Sequence, residues 1–277
     1  MSTLPEDRWN HHDRLFWEKN HHVIRTKLGG VVEYPNLVCR GYDLFRDLVG
    51  KVSWMEMFYL LLKGRLPEKN VCRLLDAICA CTSYPDPRIW PHRVGRLSAA
   101  MKPVQGAALA GALATLDSKM LGCTSLGNTV DFLQDLVDRG IAPETIEEEL
   151  NCLLASKALI PGVGRPIVKG DERVQVIYEV ARECGLTDGP AVVLVLRIDE
   201  IMDMKKGIRI NYSGIVGALL ADLGFDAIEA QTFSKAMSTP ALAGTIAEQC
   251  YEQPGDFLPL DCSDIRYTGV EERDLHR

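Results

Sequence analysis

The chain has 277 residues, 25% charged and 47% hydrophobic, a balance that suits one sizeable buried core or two modest ones and excludes disordered and low-complexity chains. Its 31 Lys and Arg against 38 Asp and Glu leave a net charge of −7, which argues against general binding to nucleic acid or to anionic membranes and leaves room for a local anion site. No apolar run reaches the roughly 20 residues of a membrane span. The N-terminal MSTLPEDRW has no apolar stretch of a secretory signal, so the expectation is a cytoplasmic protein.

In chain order, the N-terminal residues carry His11-His12 and His21-His22 with Asp13 and Glu18 between them. Neighbouring side chains on a helix do not face one way, so no metal is assigned and the stretch reads as a polar arm packing on a partner subunit. Ser53, with Glu56 three residues on, predicts a capping box ahead of Trp54, Met57, Phe58, Leu61 and Leu62, with Gly64 as the stop and Pro67 opening the next helix. That next helix carries Val71, Leu74, Leu75, Ile78 and Cys79 on one face. From Leu97 to Leu116 alanines and glycines dominate, which predicts one close-packed helix, central or set against a second subunit. Further stripes run through Val130, Leu133 and Val137, through Ile146, Leu150, Leu153 and Leu154, through Val174, Ile177 and Ala181, and through Ile215, Leu219 and Leu220. Val192–Ile198 fits a strand or a buried helix by periodicity, and without a second strand nearby it is assigned to helix. The nine cysteines are widely spaced, and the nearest pair, Cys79 and Cys81, misses the C-x2-C spacing of zinc sites, so they read as reduced thiols. Neither G-x-G-x-x-G nor a P-loop occurs. The expected class is all-α.

Three segments can carry chemistry. In Leu159–Pro166, LIPGVGRP, Gly162 and Gly164 permit backbone angles closed to other residues and Arg165 stands beside them. This suits a carboxylate or phosphate, or else a tight turn with an exposed arginine. Asp171 is placed to cap a helix whose first turn holds Arg173, a charge unfavourable to the helix dipole. Such an arginine pairs with a nearby acid or serves a ligand. Asn211, Tyr212 and Ser213 lead into a glycine-bearing helix, as caps or as the wall of a cleft.

Taken in order, PGVGRP, GDERVQ and RINYSGIVGALLADLGF resemble the citrate synthase superfamily, and especially its short citryl-CoA lyase branch, which includes the lyase module of ATP-citrate lyase. The Gly41-Tyr42 turn, Leu61–Pro67, GTIAEQ and Tyr267 with Gly269 also match, so the resemblance runs from about position 35 to 273. It implies a citrate synthase-like, all-α homodimer with a large and a small helical domain and a cleft between them. The expected division is an arm at 1–34, the large domain at 35–158 and 236–277, and the small domain at 159–235. It further implies carbon–carbon bond formation or cleavage between a coenzyme A thioester, as co-substrate rather than bound cofactor, and a di- or tricarboxylate.

Residue by residue, the family's Gly-x-Gly-His histidine falls on Arg165, its Asn-x-Asp-Gly aspartate on Ser213, and the histidine of its closing Gly-x-x-Ala-His phrase on Thr245. A further histidine falls near Leu121 and a carboxylate-binding arginine near Ser238. The Asp-x-Arg arginine is kept as Arg173, and the glycine loop Gly162, Val163 and Gly164 matches the one beside coenzyme A in relatives. Serine is no carboxylate base and arginine does not exchange a proton as histidine does, so Tyr212 and Asp86 are the candidate replacements. Arg165, Arg173 and Asn211 are expected to form a doubly cationic substrate pocket. The alternative is a non-catalytic relative that binds coenzyme A or a carboxylate, or scaffolds a partner.

Overall fold

Local hydrogen bonds set where the elements begin. Ser53 Oγ accepts from the Glu56 N–H at 3.1 Å and the Glu56 carboxylate accepts from the Ser53 N–H at 2.6 Å. This is the expected capping box, and it starts α1 at Trp54–Lys63. Gly64, at φ 76°, ends it in the left-handed conformation that glycine adopts without a Cβ clash. The computed structural model describes residues 18, 21–22, 24–33, 35–102, 104–117, 122–165, 170–255 and 261–275. The chain divides into two compact units between Glu68 and Lys69.

The first unit adds a small antiparallel sheet to the helical expectation. β1 (Gly29–Glu33) pairs with β2 (Asn36–Cys39), Gly30 opposite Val38, and β2 pairs with β3 (Tyr42–Asp43). Arg40 and Gly41, at φ 50° and 88°, make the two-residue hairpin turn between β2 and β3, whose hand matches strand twist. Gly41-Tyr42 therefore turns a hairpin first, and a single wide helical turn over Leu44–Leu48 follows, capped by Asp43. The Arg40 guanidinium donates to the Leu61 carbonyl at 2.5 Å and ties the hairpin to the end of α1.

The second unit is helical: α2 (Lys69–Thr82), α3 (Trp90–Ala100), α4 (Gln105–Ala114), α5 (Cys123–Asp138), α6 (Ile146–Ala155), α7 (Glu172–Glu183), α8 (Pro190–Lys206), α9 (Tyr212–Asp222) and α10 (Ala227–Tyr251). The expected stripes are buried: Val71, Leu74, Leu75 and Ile78 in α2, and Ile215, Leu219 and Leu220 in α9. Each such side chain contributes about 1.5–3 kcal/mol through burial. α5 packs on both α9 and α10, α10 packs on α3 and α4, and α9 packs on α8 and α7. The ambiguous Val192–Ile198 lies inside α8.

The single helix expected across Leu97–Leu116 is corrected to two, α3 and α4. The sequence places proline at 103, which disfavours helical angles at the residue before it, and Lys102 stands at φ 54°. The small residues let the two helices pack on each other: Ala99 and Ala108 share a cluster with Ile246, and Ala112 shares another with Leu116, Cys123 and Leu242. α4 is not wholly buried, since Gly106, Ala107, Ala110 and Ala114 face outward. Among the described residues no helix is long and apolar enough to cross a membrane, and no cluster of His, Cys, Asp and Glu has the makings of a metal site. His21 and His22 sit in a turn and bond each other at 2.8 Å, while His11 and His12 lie outside the described residues.

Candidate active site

Two glycines, Gly162 and Gly214, bring the loop after α6 against the start of α9. A Cβ on Gly214 would lie 2.5 Å from the Gly162 carbonyl oxygen, and one on Gly162 would lie 2.7 Å from the Gly214 Cα. Gly162 is also at φ 78°, so side chains are doubly disfavoured there. The contact is pinned by the Asn211 N–H on the Gly162 carbonyl at 2.9 Å and the Gly164 N–H on the Arg209 carbonyl at 2.8 Å, with Val163 bridging Ile210. Gly162 and Val163 are thus scaffold, while Gly164 and Arg165 reach a cavity of about 260 Å³.

Asn211 serves both purposes left open by its sequence. Its Oδ1 caps α9 by accepting from the Gly214 N–H, its Nδ2 donates to the Gly164 carbonyl at 2.5 Å, and the residue lines the cavity with Tyr212 and Ser213. Asp171 caps α7, and its carboxylate has no solvent exposure. It accepts from Arg173 Nε at 2.8 Å and Nη2 at 2.6 Å and from the Tyr212 N–H at 2.9 Å, and Arg165 stands 3.6 Å away. Burial alone would push this carboxyl up, but the Arg173 and Tyr212 hydrogen bonds outweigh it and hold it below the usual range.

The Arg173 charge is therefore paired with an acid. Its guanidinium also stacks on the Tyr212 ring, 4.6 Å from the centroid. Arg165 donates to Glu172 at 2.7 Å on the rim. The two guanidinium groups reach the same cavity, and each also faces a carboxylate. Tyr212 is largely buried, its hydroxyl 3.3 Å from Thr82 Oγ1, and burial pushes the phenol well up from its ordinary value. Asp86 does not line the cavity. It is held by Arg88 through contacts of 2.9 and 2.7 Å, and that hydrogen bonding lowers its carboxyl to about 2.

Across the cavity stands a residue that sequence reasoning passed over. His92, at the start of α3, is 3% exposed and its Nδ1 meets Thr245 Oγ1 at 2.7 Å. The Thr245 hydroxyl spends its proton on the Ala241 carbonyl at 2.9 Å, which assigns the imidazole proton to Nδ1 and leaves the Nε2 lone pair free. His92 lines the cavity, so its imidazole is available to a ligand held there. Burial lowers the imidazole pKa, with Asp86 pulling the other way, and the neutral ring is favoured. His92 and Thr245 are 153 residues apart, and no local pattern connects them. Thr245 occupies the position where the resemblance placed a histidine, and the imidazole here comes from α3. α10 completes the wall with Ser234, Ser238 and Leu242, and α5 with Cys123, Ser125 and Leu126.

No family model matches the sequence, and none of the curated proteins does. Solved structures match over almost the whole chain. Citryl-CoA lyase from Hydrogenobacter thermophilus superposes with a TM-score of 0.81 at 25% identity, covering 91% of this chain and 97% of that one. ATP citrate lyase from Methanothrix soehngenii, solved with citrate and coenzyme A, gives 0.72 at 17% identity over 94% of this chain and 45% of that one. Citrate synthase from Thermoplasma acidophilum, solved with carboxymethyl coenzyme A and oxaloacetate, gives 0.64 at 18% identity over 81% of this chain and 59% of that one. The helical architecture and the end-to-end match to a citryl-CoA lyase make this chain a member of the citrate synthase superfamily, nearer in structure to that lyase than to the synthase.

Proposed function

We propose that this protein forms or breaks a carbon–carbon bond between a coenzyme A thioester and a carboxylate-bearing partner, as citryl-CoA lyase and citrate synthase do by name. The observation that carries the proposal is one cavity lined both by the His92 imidazole, whose Nδ1 is engaged by Thr245, and by Arg165. In the direction of synthesis, His92 Nε2 takes the thioester α-proton, the enolate carbon attacks the keto carbon, and the imidazolium returns the proton to the new alkoxide. Cleavage is the same sequence reversed. Arg165 and the Asn211–Gly164 edge orient the carboxylate, and Ser213, in place of a carboxylate, offers a hydroxyl. Residues 159–235, the proposed smaller domain, supply that side of the cavity. Coenzyme A is a co-substrate here, held beside Gly164.

A second reading, a non-catalytic binder or scaffold, is favoured by one observation: Ser213 stands in the cavity where the resemblance places an acid. Incubation with citryl-CoA, and with acetyl-CoA plus oxo acids, followed by chromatography of the products, separates the two; the nine cysteines would confound a thiol reagent. The expected result is product formation that His92→Gln lowers by about 10²–10⁴-fold in kcat. Binding without product from any thioester would decide for the non-catalytic reading.

A further inference from the structure

An imidazole acts as a base only where its ring is held at one angle with the lone pair on one known nitrogen, and for His92 two helices set both conditions. α3 and α10 come close at Gly95, three residues on from His92. An added Cβ there would lie 3.3 Å from Ile246 Cγ1 and 3.4 Å from Ala112 Cβ, so glycine is what lets α10 lie this near. The approach seats Thr245, next to Ile246, against the ring. His92 and Thr245 are both buried, and the 2.7 Å between Nδ1 and Oγ1 is a full hydrogen bond.

Only one of the two groups can donate in this bond. The Thr245 hydroxyl has a single proton and an accepting carbonyl at 2.9 Å, that of Ala241 on the preceding turn. Ser238 and Thr239 give their hydroxyl protons in the same way to the Ser234 and Lys235 carbonyls, so the hydroxyls of this stretch of α10 share one direction. With its proton on Ala241, Oγ1 offers Nδ1 lone pairs alone, and the imidazole carries its own proton on Nδ1. Thr245 is not among the residues that line the cavity, whereas His92 is. It reaches a ligand only through the ring.

We propose that Thr245 is the positioning residue of this site: its hydroxyl locks His92 in the tautomer whose lone pair is on Nε2, the nitrogen that takes the proton in the proposed reaction. The chemical use of Nε2 rests on the proposed function, and the tautomer does not. Long-range proton–nitrogen NMR of the full chain with isotope-labelled histidine reads the tautomer at about pH 8, where an ordinary histidine is neutral. His92→Gln assigns the signal among the six histidines. The natural chain is expected to show a protonated Nδ1 and an unprotonated Nε2.

Thr245→Val keeps the shape of the side chain and removes the hydroxyl. It is expected to move the His92 signal to the Nε2-protonated or a mixed pattern and to lower kcat about tenfold to hundredfold, with KM changed by less than about twofold. Thr245→Ser, which restores the hydroxyl, is expected to recover the unprotonated Nε2 and most of the rate. A natural chain with its proton on Nε2, or a tautomer unchanged in Thr245→Val, would overturn the proposal. A raised KM with unchanged kcat would overturn it as well, by giving Thr245 a share in binding instead. The expected tautomers in a chain that converts no thioester would support the lock and overturn the proposed function.

Discussion

Arg173 and His92 show what single residues reveal and hide. An arginine in the first turn of a helix, next to a capping aspartate, is visible in sequence as an electrostatic oddity, and the structure resolves it into a bidentate pair. His92 gives no such signal, because its meaning depends on Thr245 from a distant turn of α10. Its lowered pKa carries a sign. The unfolded histidine titrates near 6.5, and the folded one below that, so the unfolded chain binds more protons between the two values. The stabilising contribution is complete above about pH 6.5 and is lost as pH falls through the folded value. The urea midpoint is expected to drop between pH 7.5 and 5.5 in the natural chain and to drop less in His92→Gln. Parallel drops in both would remove His92 as the titrating group.

At the scale of elements, glycines separate into those that set distances and those that do not. Gly217 in α9 faces α5, and an added Cβ would come within 2.7 Å of the Thr129 Cγ2 and 3.0 Å of its Cβ. Thr129 is fully buried and cannot retreat, so Gly217→Ala is expected to destabilise by about 1–3 kcal/mol through overpacking. Gly244 in α10 is exposed and meets nothing within 4 Å, so Gly244→Ala is expected to stabilise by about 0.5–1 kcal/mol through helix propensity. Denaturant midpoints check both, and equal effects of one sign would contradict the α5–α9 contact. The helices were legible because capping boxes and 3.6-residue stripes are local. The break between α3 and α4 was legible in principle, from proline at 103, but alanine and glycine fit a helix on either side and masked it. The sheet was hidden by shortness: β3 has two residues, too few for an alternating pattern to register.

For the whole molecule, the order of motifs carried the superfamily where composition could not, and the site was legible as a set of converging residues but not as a charge balance. Arg165, Arg173, Asn211, Tyr212 and Ser213 all reach the cavity, while the pairing of its charges depends on side-chain directions that no sequence pattern encodes. One further property of the whole belongs to the surface. α4 contains no charged residue, although the chain carries a net −7, and its outward Gly106, Ala107, Ala110 and Ala114 are flanked by Met101 and Val104, which are 66% and 81% exposed. Small side chains let a second helix approach closely, and an uncharged, largely small-residue face suits a twofold axis on which each residue meets its own kind. A homodimer through α4 is therefore expected, read by light scattering as twice the 30.7 kDa chain mass. Ala110→Glu would set two carboxylates against each other across the axis and is expected to give monomers with unchanged helical circular dichroism. A dimer that survives this substitution would move the interface elsewhere, and a natural chain that runs as a monomer would remove it altogether.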